Sequence, residues 1–126
     1  MKFMLIMHMN PLIWDALTDA ERQEVMSGHG AFMDTIEKSG EMLGTAALAD
    51  ISDSVVVGVR NGVRTVTDGP YLEAKEYLGG YYLVDCESRE RALELAAMIP
   101  DAAVEGLGIE VRQVVFSSDR ADLDTP

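Results

Sequence analysis

The chain has 126 residues, of which 48% are hydrophobic and 25% charged, the proportions of an ordinary globular domain. Its formal net charge of −12 argues against direct contact with nucleic acid or with an anionic membrane, because such binders carry basic patches. The single cysteine, Cys86, excludes a disulfide within the chain and is expected to be a small buried apolar residue. The apolar start, residues 3–9, is too short for a signal peptide or a membrane span, so we expect a cytoplasmic protein.

Local sequence patterns predict strands and two helices. Continuous or alternating apolar runs indicate strands, apolar residues three and four apart indicate helices, and Gly, Pro and Asn mark the breaks. In chain order, the predicted elements are a strand at Lys2–His8, a helix at Asp19–Ser39, a strand at Met42–Ala49, a hairpin of Val55–Val59 and Val63–Thr67, a strand at Gly80–Val84, a helix at Arg89–Ile99 and a strand at Ile109–Phe116.

Specific residues set the ends of these elements. Thr18 and Glu21 have the spacing of a capping box, which satisfies the first free amides of a helix. Asn61-Gly62 predicts a type I′ hairpin turn, because both central residues of that turn need positive φ. Ser88 is a candidate N-cap for the second helix, and Pro100 stops it.

The order of elements predicts a ferredoxin-like β-α-β-β-β-α-β sandwich with an antiparallel sheet, formed by a single domain over residues 1–116 and followed by a polar tail, 117–126. Two helices cover only one face of such a sheet. The strands at Lys2–His8 and Gly80–Val84 are nevertheless apolar on both faces. We therefore expect the uncovered face to pack against a second copy in a two-fold homodimer.

His29 is the first candidate for chemistry. It falls on the apolar side of the first helix between two glycines, Gly28 and Gly30, which suggests a close approach to the helix backbone there. Histidine suits proton transfer because its unperturbed pKa lies near neutrality. Arg22 lies on nearly the same helix face and is a candidate for holding a carboxylate near His29. The alternatives are a satisfied core histidine and a solvated arginine.

A second constellation follows the hairpin at Asp68-Gly69-Pro70-Tyr71 and continues through a charged loop with Lys75 to Gly79-Gly80. Asp68 is a candidate for the carboxylate that orients His29 as a catalytic base, and Lys75 and Tyr71 are candidates for substrate binding. The turn is also explained without function, since an aspartate in this position accepts bonds from the following amides.

His8 ends the first strand and is a candidate for lining the same cleft, although an exposed strand end explains it equally well. His8, His29 and Asp68 lack the spacing of metal ligands, so no metal is expected. The sequence also lacks phosphate-binding glycine loops and nucleophile motifs, so we expect no cofactor.

The segment Thr67–Asp85, with Asp68-Gly69-Pro70 and Gly79-Gly80-Tyr81-Tyr82, resembles the signature of DGPF-domain proteins in the YCII-related superfamily. Tyr71 stands where the signature has phenylalanine, and the swap keeps the aromatic ring. The resemblance spans nearly the whole chain. It implies a dimeric α+β barrel with a cleft containing a helix histidine, which maps onto His29, and an acidic residue, for which Asp68 is chosen.

Two functions are consistent with this resemblance. The first is a cofactor-independent acid–base enzyme of lyase or isomerase type acting on a small anionic metabolite, with His29 as base and Asp68 as its orienting acid. The second is a non-catalytic ligand-binding or regulatory module, because some relatives are associated with extracytoplasmic-function sigma factors. Under the second function, His29 and Asp68 are structural residues.

Overall fold

The computed structural model describes residues 1–69 and 76–118. Its helices and strands, in chain order, are β1 (Lys2–Met9), α1 (Pro11–Ala16), α2 (Asp19–Lys38), β2 (Met42–Ala47), β3 (Val55–Arg60), β4 (Val63–Asp68), β5 (Tyr77–Asp85), α3 (Arg89–Met98) and β6 (Ile109–Gln113).

Four strands form one antiparallel sheet in the spatial order β2-β5-β1-β6. With α2 and α3 as the crossover helices, this is the strand order of a ferredoxin-like fold, and the predicted α+β class is confirmed. The strands β3 and β4, which lie between β2 and β5 in the sequence, form a separate two-stranded sheet. The described residues thus contain the six strands that the sequence patterns predict, two of them in the hairpin.

The helix ends and the hairpin turn follow the predicted caps. The Thr18 amide donates to Glu21 Oε1 at 2.9 Å, and the Glu21 amide donates to Thr18 Oγ1 at 3.1 Å, so the capping box of α2 is complete. The Ser88 hydroxyl oxygen caps α3 in the same way. Asn61 and Gly62 both have positive φ, 52° and 78°, as the type I′ turn requires.

The helix α1 was not predicted. Asn10 and Pro11 follow directly after β1 and begin this helix. The side-chain oxygen of Asn10 accepts a bond from the Leu12 amide at 3.1 Å, and Pro11 occupies the first helical position. Proline suits that position because a backbone N–H there has no acceptor within the helix, so its absence costs no hydrogen bond.

The core lies between the sheet and the two long helices. Phe3 and Leu5 of β1 and Tyr82 and Val84 of β5 contact a cluster whose helical members are Phe32, Ile36, Ala92, Leu95 and Ala96. Cys86 belongs to the same buried cluster, and its burial raises the pKa of its thiol, as expected for a packing residue.

The alternate residues of the two central strands point to the other face of the sheet. There Met4 pairs with Leu83, and Ile6 pairs with Tyr81, across the β1–β5 ladder. The two long helices pack on the opposite face, with the core cluster. Within residues 1–69 and 76–118, no helix is long and apolar enough to cross a membrane.

Candidate functional site

A cavity of about 550 Å³ lies at one end of the four-stranded sheet, between the sheet and α2. Its walls come from the end of β1, the end of β2, the start of β5, the middle of α2, and the segment between α3 and β6. Ligand sites of small molecules have volumes of this order, about 300–1,000 Å³.

His29 lies on the wall that α2 contributes. Its Nδ1 is 2.7 Å from the Tyr82 hydroxyl, and its Nε2 is 2.7 Å from Asp101 Oδ1. The rings of His29 and Tyr82 are stacked, with 17° between their planes. The side chains of His29 and Asp101 stay 19% and 15% exposed, so solvent reaches both.

A close contact between α2 and the chain after α3 brings Asp101 to His29. A Cβ added at Gly28 would lie 2.5 Å from Pro100 Cγ, so only glycine allows the approach. Pro100 begins a short 3-10 turn, and Asp101 is its next residue. The predicted close approach to the helix backbone is therefore confirmed for Gly28. At Gly30 an added Cβ would meet no atom within 4 Å, and Gly30 lines the cavity instead.

The hydrogen bonds assign the proton positions around the imidazole. An ionised Asp101 is only an acceptor, so Nε2 carries the hydrogen and donates it to Asp101. In the neutral ring, Nδ1 then accepts the hydroxyl proton of Tyr82. Burial, together with the nearby Asp101 charge, raises the pKa of Tyr82 to about 12, so the phenol keeps its proton at neutral pH.

Most of the cavity wall is apolar. Four methionines line it, and so does Trp14 of α1, the only tryptophan in the chain. The methionines are Met7, Met9, Met26 and Met33. Gly79 and Gly80 line the cavity where β5 lies between β1 and β2, and an added Cβ at Gly80 would be 2.7 Å from the Ala46 carbonyl oxygen. These two glycines of the family signature therefore shape the cavity.

Asp68 does not orient His29 in this structure, which corrects the predicted pair. Asp68 ends β4, where it pairs with Val55 in the separate hairpin. Both ring nitrogens of His29 are bonded to other residues, Tyr82 and Asp101. The next residue, Gly69, has a φ of 89°, and its amide donates to the Ser54 carbonyl at 2.9 Å.

Arg22 is also placed away from the role predicted for it. Its guanidinium donates to the main-chain carbonyls of Trp14 and Leu17, at 3.2 and 2.8 Å, and to the Asp19 carboxylate at 2.6 Å. These bonds satisfy carbonyls at the end of α1 and fix the turn into α2. Arg22 is absent from the cavity wall, and both of its terminal nitrogens bond to these neighbouring groups.

His8 lines the cavity as predicted, with a partner of its own. Its Nε2 lies 2.7 Å from Glu110 Oε1 on β6. This bond, and a second one from Arg112, hold the pKa of the Glu110 carboxyl below its usual value. Tyr71 and Lys75, the other two predicted substrate-binding residues, lie outside the described residues. In the part of the chain that the structure describes, no group of three His, Cys, Asp or Glu side chains is arranged to hold a metal ion.

Comparison with known proteins agrees with this architecture. The YCII-related domain matches residues 1–117. The chain belongs to the YCII-related family. It is also 28% identical, over 116 residues, to an uncharacterised protein of Rhizobium meliloti (strain 1021), a match that covers 92% of this chain and 94% of that protein.

Sequence reasoning missed two residues at the centre of this YCII-related site, Tyr82 and Asp101. The alternation of β5 placed Tyr82 on one face of a strand but gave no reason to link it to a helix 53 residues away. Asp101 follows the proline that ends α3, and only the packing of Pro100 on Gly28 makes that position special. The flanking glycines signalled a contact at His29 without identifying its partner.

Proposed function

We propose that this YCII-related domain is a cofactor-independent acid–base enzyme of lyase or isomerase type. His29 accepts a proton from a carbon next to a carbonyl, Asp101 orients the imidazole and stabilises its charged form, and Tyr82 connects His29 to the substrate. The observation that carries the proposal is the chain of two 2.7 Å bonds, Asp101–His29–Tyr82, on the wall of an open cavity.

Tyr82 acts as a relay in this proposal. Because Nδ1 already accepts the Tyr82 proton, a proton leaving the substrate passes to the phenol oxygen while the phenol's own proton passes to Nδ1. Tyr82 is then a phenol before and after the step, which agrees with its raised pKa of about 12. His29 becomes an imidazolium whose Nε2–H still donates to the Asp101 carboxylate.

Hydrogen–deuterium exchange tests this proposal without knowledge of the natural substrate. We expect the protein in D₂O to exchange the α-protons of some member of a panel of small cyclic ketones and unsaturated lactones, as followed by proton NMR. His29→Gln and Asp101→Asn abolish or strongly reduce the exchange, whereas Asp68→Asn, the matched control, does not. Exchange that persists in His29→Gln would refute the assignment.

The second candidate is a non-catalytic ligand-binding module. The observation that favours it is that both ring nitrogens of His29 are satisfied within the chain, as in a structural histidine. Under this function the cavity binds a small molecule and no exchange occurs with any compound that binds. The association with an extracytoplasmic-function sigma factor stays a prediction from the family resemblance.

We also propose a homodimer in which two copies pack through the sheet face opposite the helices. Met4, Ile6, Tyr81 and Leu83 form cross-strand pairs on that face, and a sheet face with large apolar side chains is stabilised when a partner covers it. The hairpin supports the same proposal, because Val55, Val57, Val59 and Val66 are each more than half exposed. A two-stranded hairpin of this kind is marginally stable alone.

A further inference from the structure

The cavity beside His29 lacks a counter-charge for an anionic ligand among the described residues. Its titratable lining residues are His8, His29, Tyr82 and Asp101, and neither lysine nor arginine is part of the wall that the structure describes. Asp101 contributes a negative charge. The imidazole of His29 already donates to that carboxylate, so a bound anion would compete with Asp101 for it.

Arg22, one of the two cations that the sequence offers for an anion, is bonded elsewhere, and the other, Lys75, lies outside the described residues. The guanidinium of Arg22 is bonded to the Trp14 and Leu17 carbonyls and to the Asp19 carboxylate, and its release would break these bonds. The chain as a whole has a formal net charge of −12, which lowers the concentration of anions near its surface. A carboxylate entering the cavity would therefore lose its hydration without gaining an ion pair from these residues.

The rest of the wall favours an apolar molecule. Side chains of methionine are unbranched and polarisable, so the four that line the cavity fit ligands of irregular shape. Trp14, Val25 and Leu107 add aromatic and aliphatic surface. His29, Tyr82 and Asp101 form one polar group, which suits a ligand with one polar end. The other polar side chains of the wall, His8 and Thr45, are bonded to Glu110 and to the Tyr81 carbonyl.

From these observations we infer that the cavity binds an uncharged, mostly apolar compound carrying a single carbonyl or hydroxyl oxygen, with that oxygen at the Tyr82 hydroxyl. The inference deepens the proposed function and rests on it for the position of the oxygen. It departs from the small anionic metabolite expected from the sequence. In the neutral state of His29, Tyr82 presents an oxygen that accepts a ligand O–H; once His29 is charged, Tyr82 donates its own O–H to a ligand carbonyl.

Matched probes test the charge of the ligand. Cyclohexyl methyl ketone and cyclohexanecarboxylate have the same ring and the same number of heavy atoms, and cyclohexylmethylammonium supplies the opposite charge. Fluorescence of Trp14 reports binding, because it is the only tryptophan and it lines the cavity. Methyl NMR of Met33, on α2, confirms that the probe occupies this cavity. We expect the ketone to bind at least about tenfold more tightly than either ion, a difference of about 1.4 kcal/mol.

Two substitutions at Met26 test the effect of adding a charge to the cavity wall without removing any of its hydrogen bonds. Met26 lines the cavity but is 60% exposed, so a longer polar side chain there keeps its end in water. Met26→Lys is expected to raise the affinity for the carboxylate relative to that for the ketone several-fold. Met26→Gln, the neutral control, is expected to lower both affinities alike and so to keep the wild-type ratio, and circular dichroism checks that both variants fold.

The outcomes separate this inference from the proposed enzyme. A carboxylate or ammonium that binds the wild type as tightly as the ketone, or a ketone that does not bind up to its solubility limit, overturns the inference. The α-protons of the same ketone are followed in D₂O on the same sample. Ketone preference without exchange of this ketone or of any panel compound supports the ligand class and refutes the enzyme, whereas exchange combined with a preference for the carboxylate does the reverse.

Discussion

Gly28 and Pro100 are in direct van der Waals contact, and their contact positions the acid that binds His29. A Cβ at position 28 would lie 2.5 Å from Pro100 Cγ, whereas a Cβ at Gly30, two residues further, would meet nothing within 4 Å. The two glycines around His29 therefore have different functions. Gly28 lets the turn that carries Asp101 approach α2, and Gly30 keeps one wall of the cavity open.

Alanine at these two positions is expected to change stability in opposite directions. Gly28→Ala gains about 1 kcal/mol of helix propensity but overpacks against the proline ring, at a cost of about 1–3 kcal/mol, so it is destabilising overall. Gly30→Ala gains the same propensity without a clash and is stabilising by about 1 kcal/mol. Urea unfolding of both variants measures the difference. A Gly28→Ala variant as stable as Gly30→Ala would contradict the contact.

The tautomer of His29 is the second prediction. With Asp101 accepting from Nε2–H, the neutral ring is expected to carry its hydrogen on Nε2, and nitrogen NMR of the ring distinguishes this from the Nδ1–H form. Asp101→Ala removes the acceptor, so we expect a mixture of tautomers. Asp68→Ala is the control and is expected to leave the spectrum of the wild type unchanged. A shift caused by Asp68→Ala alone would restore the pair that the sequence suggested.

Tyr82 gives a prediction at alkaline pH. Its pKa rises from 10.0 to about 12 through burial and the charge of Asp101. Between these values the unfolded chain loses the phenol proton and the folded chain keeps it, so stability falls as the pH rises through this window and is fully present below it. Tyr82→Phe is expected to remove the part of the alkaline loss of stability that ionisation of this phenol causes. Near-ultraviolet titration checks the pKa: among the four tyrosines, the wild type should show one, absent in Tyr82→Phe, that ionises last.

The homodimer is tested on the outer sheet face. We expect the wild type to sediment as a dimer and Tyr81→Glu to sediment as a folded monomer, because a charge buried in the proposed interface opposes association. Leu12→Glu adds the same charge on α1, where Leu12 is 77% exposed, and is expected to stay dimeric. A wild-type monomer at micromolar concentration would refute the interface.

An ion pair that joins β2 to α3 gives a prediction at acidic pH. Arg91 binds both oxygens of Glu41, at 2.9 and 3.0 Å, and these bonds hold the pKa of the Glu41 carboxyl below its ordinary value. Because the pKa of Glu41 is lower in the folded state, its ionised form stabilises the fold at pH values above the unfolded pKa. This stability is lost as the pH falls through the folded pKa. Arg91→Met is therefore expected to flatten the acid limb of the stability curve. Glu94→Gln, which removes only the more exposed partner of Arg91, should change that limb little.

Local signals in the sequence determined most of the elements. The capping box at Thr18, the Asn61-Gly62 turn and the stop at Pro100 act over a few residues, so their effects follow from neighbouring side chains alone. The helix α1 escaped prediction because Asn10-Pro11 ends a strand and begins a helix with the same two residues. The apolar character of both sheet faces was also readable, since alternation along a strand assigns each side chain to a face.

Only the tertiary structure decided which acid accompanies His29. Asp68 was the plausible choice because it lies in a conspicuous turn, but strand pairing places it in a separate hairpin. Asp101 is 72 residues from His29 along the chain, and it reaches the imidazole through the packing of one helix against the end of another. Such a contact depends on how every intervening element packs. In the sequence, a glycine within a helix indicates a close contact, but only the folded structure shows which residue makes that contact.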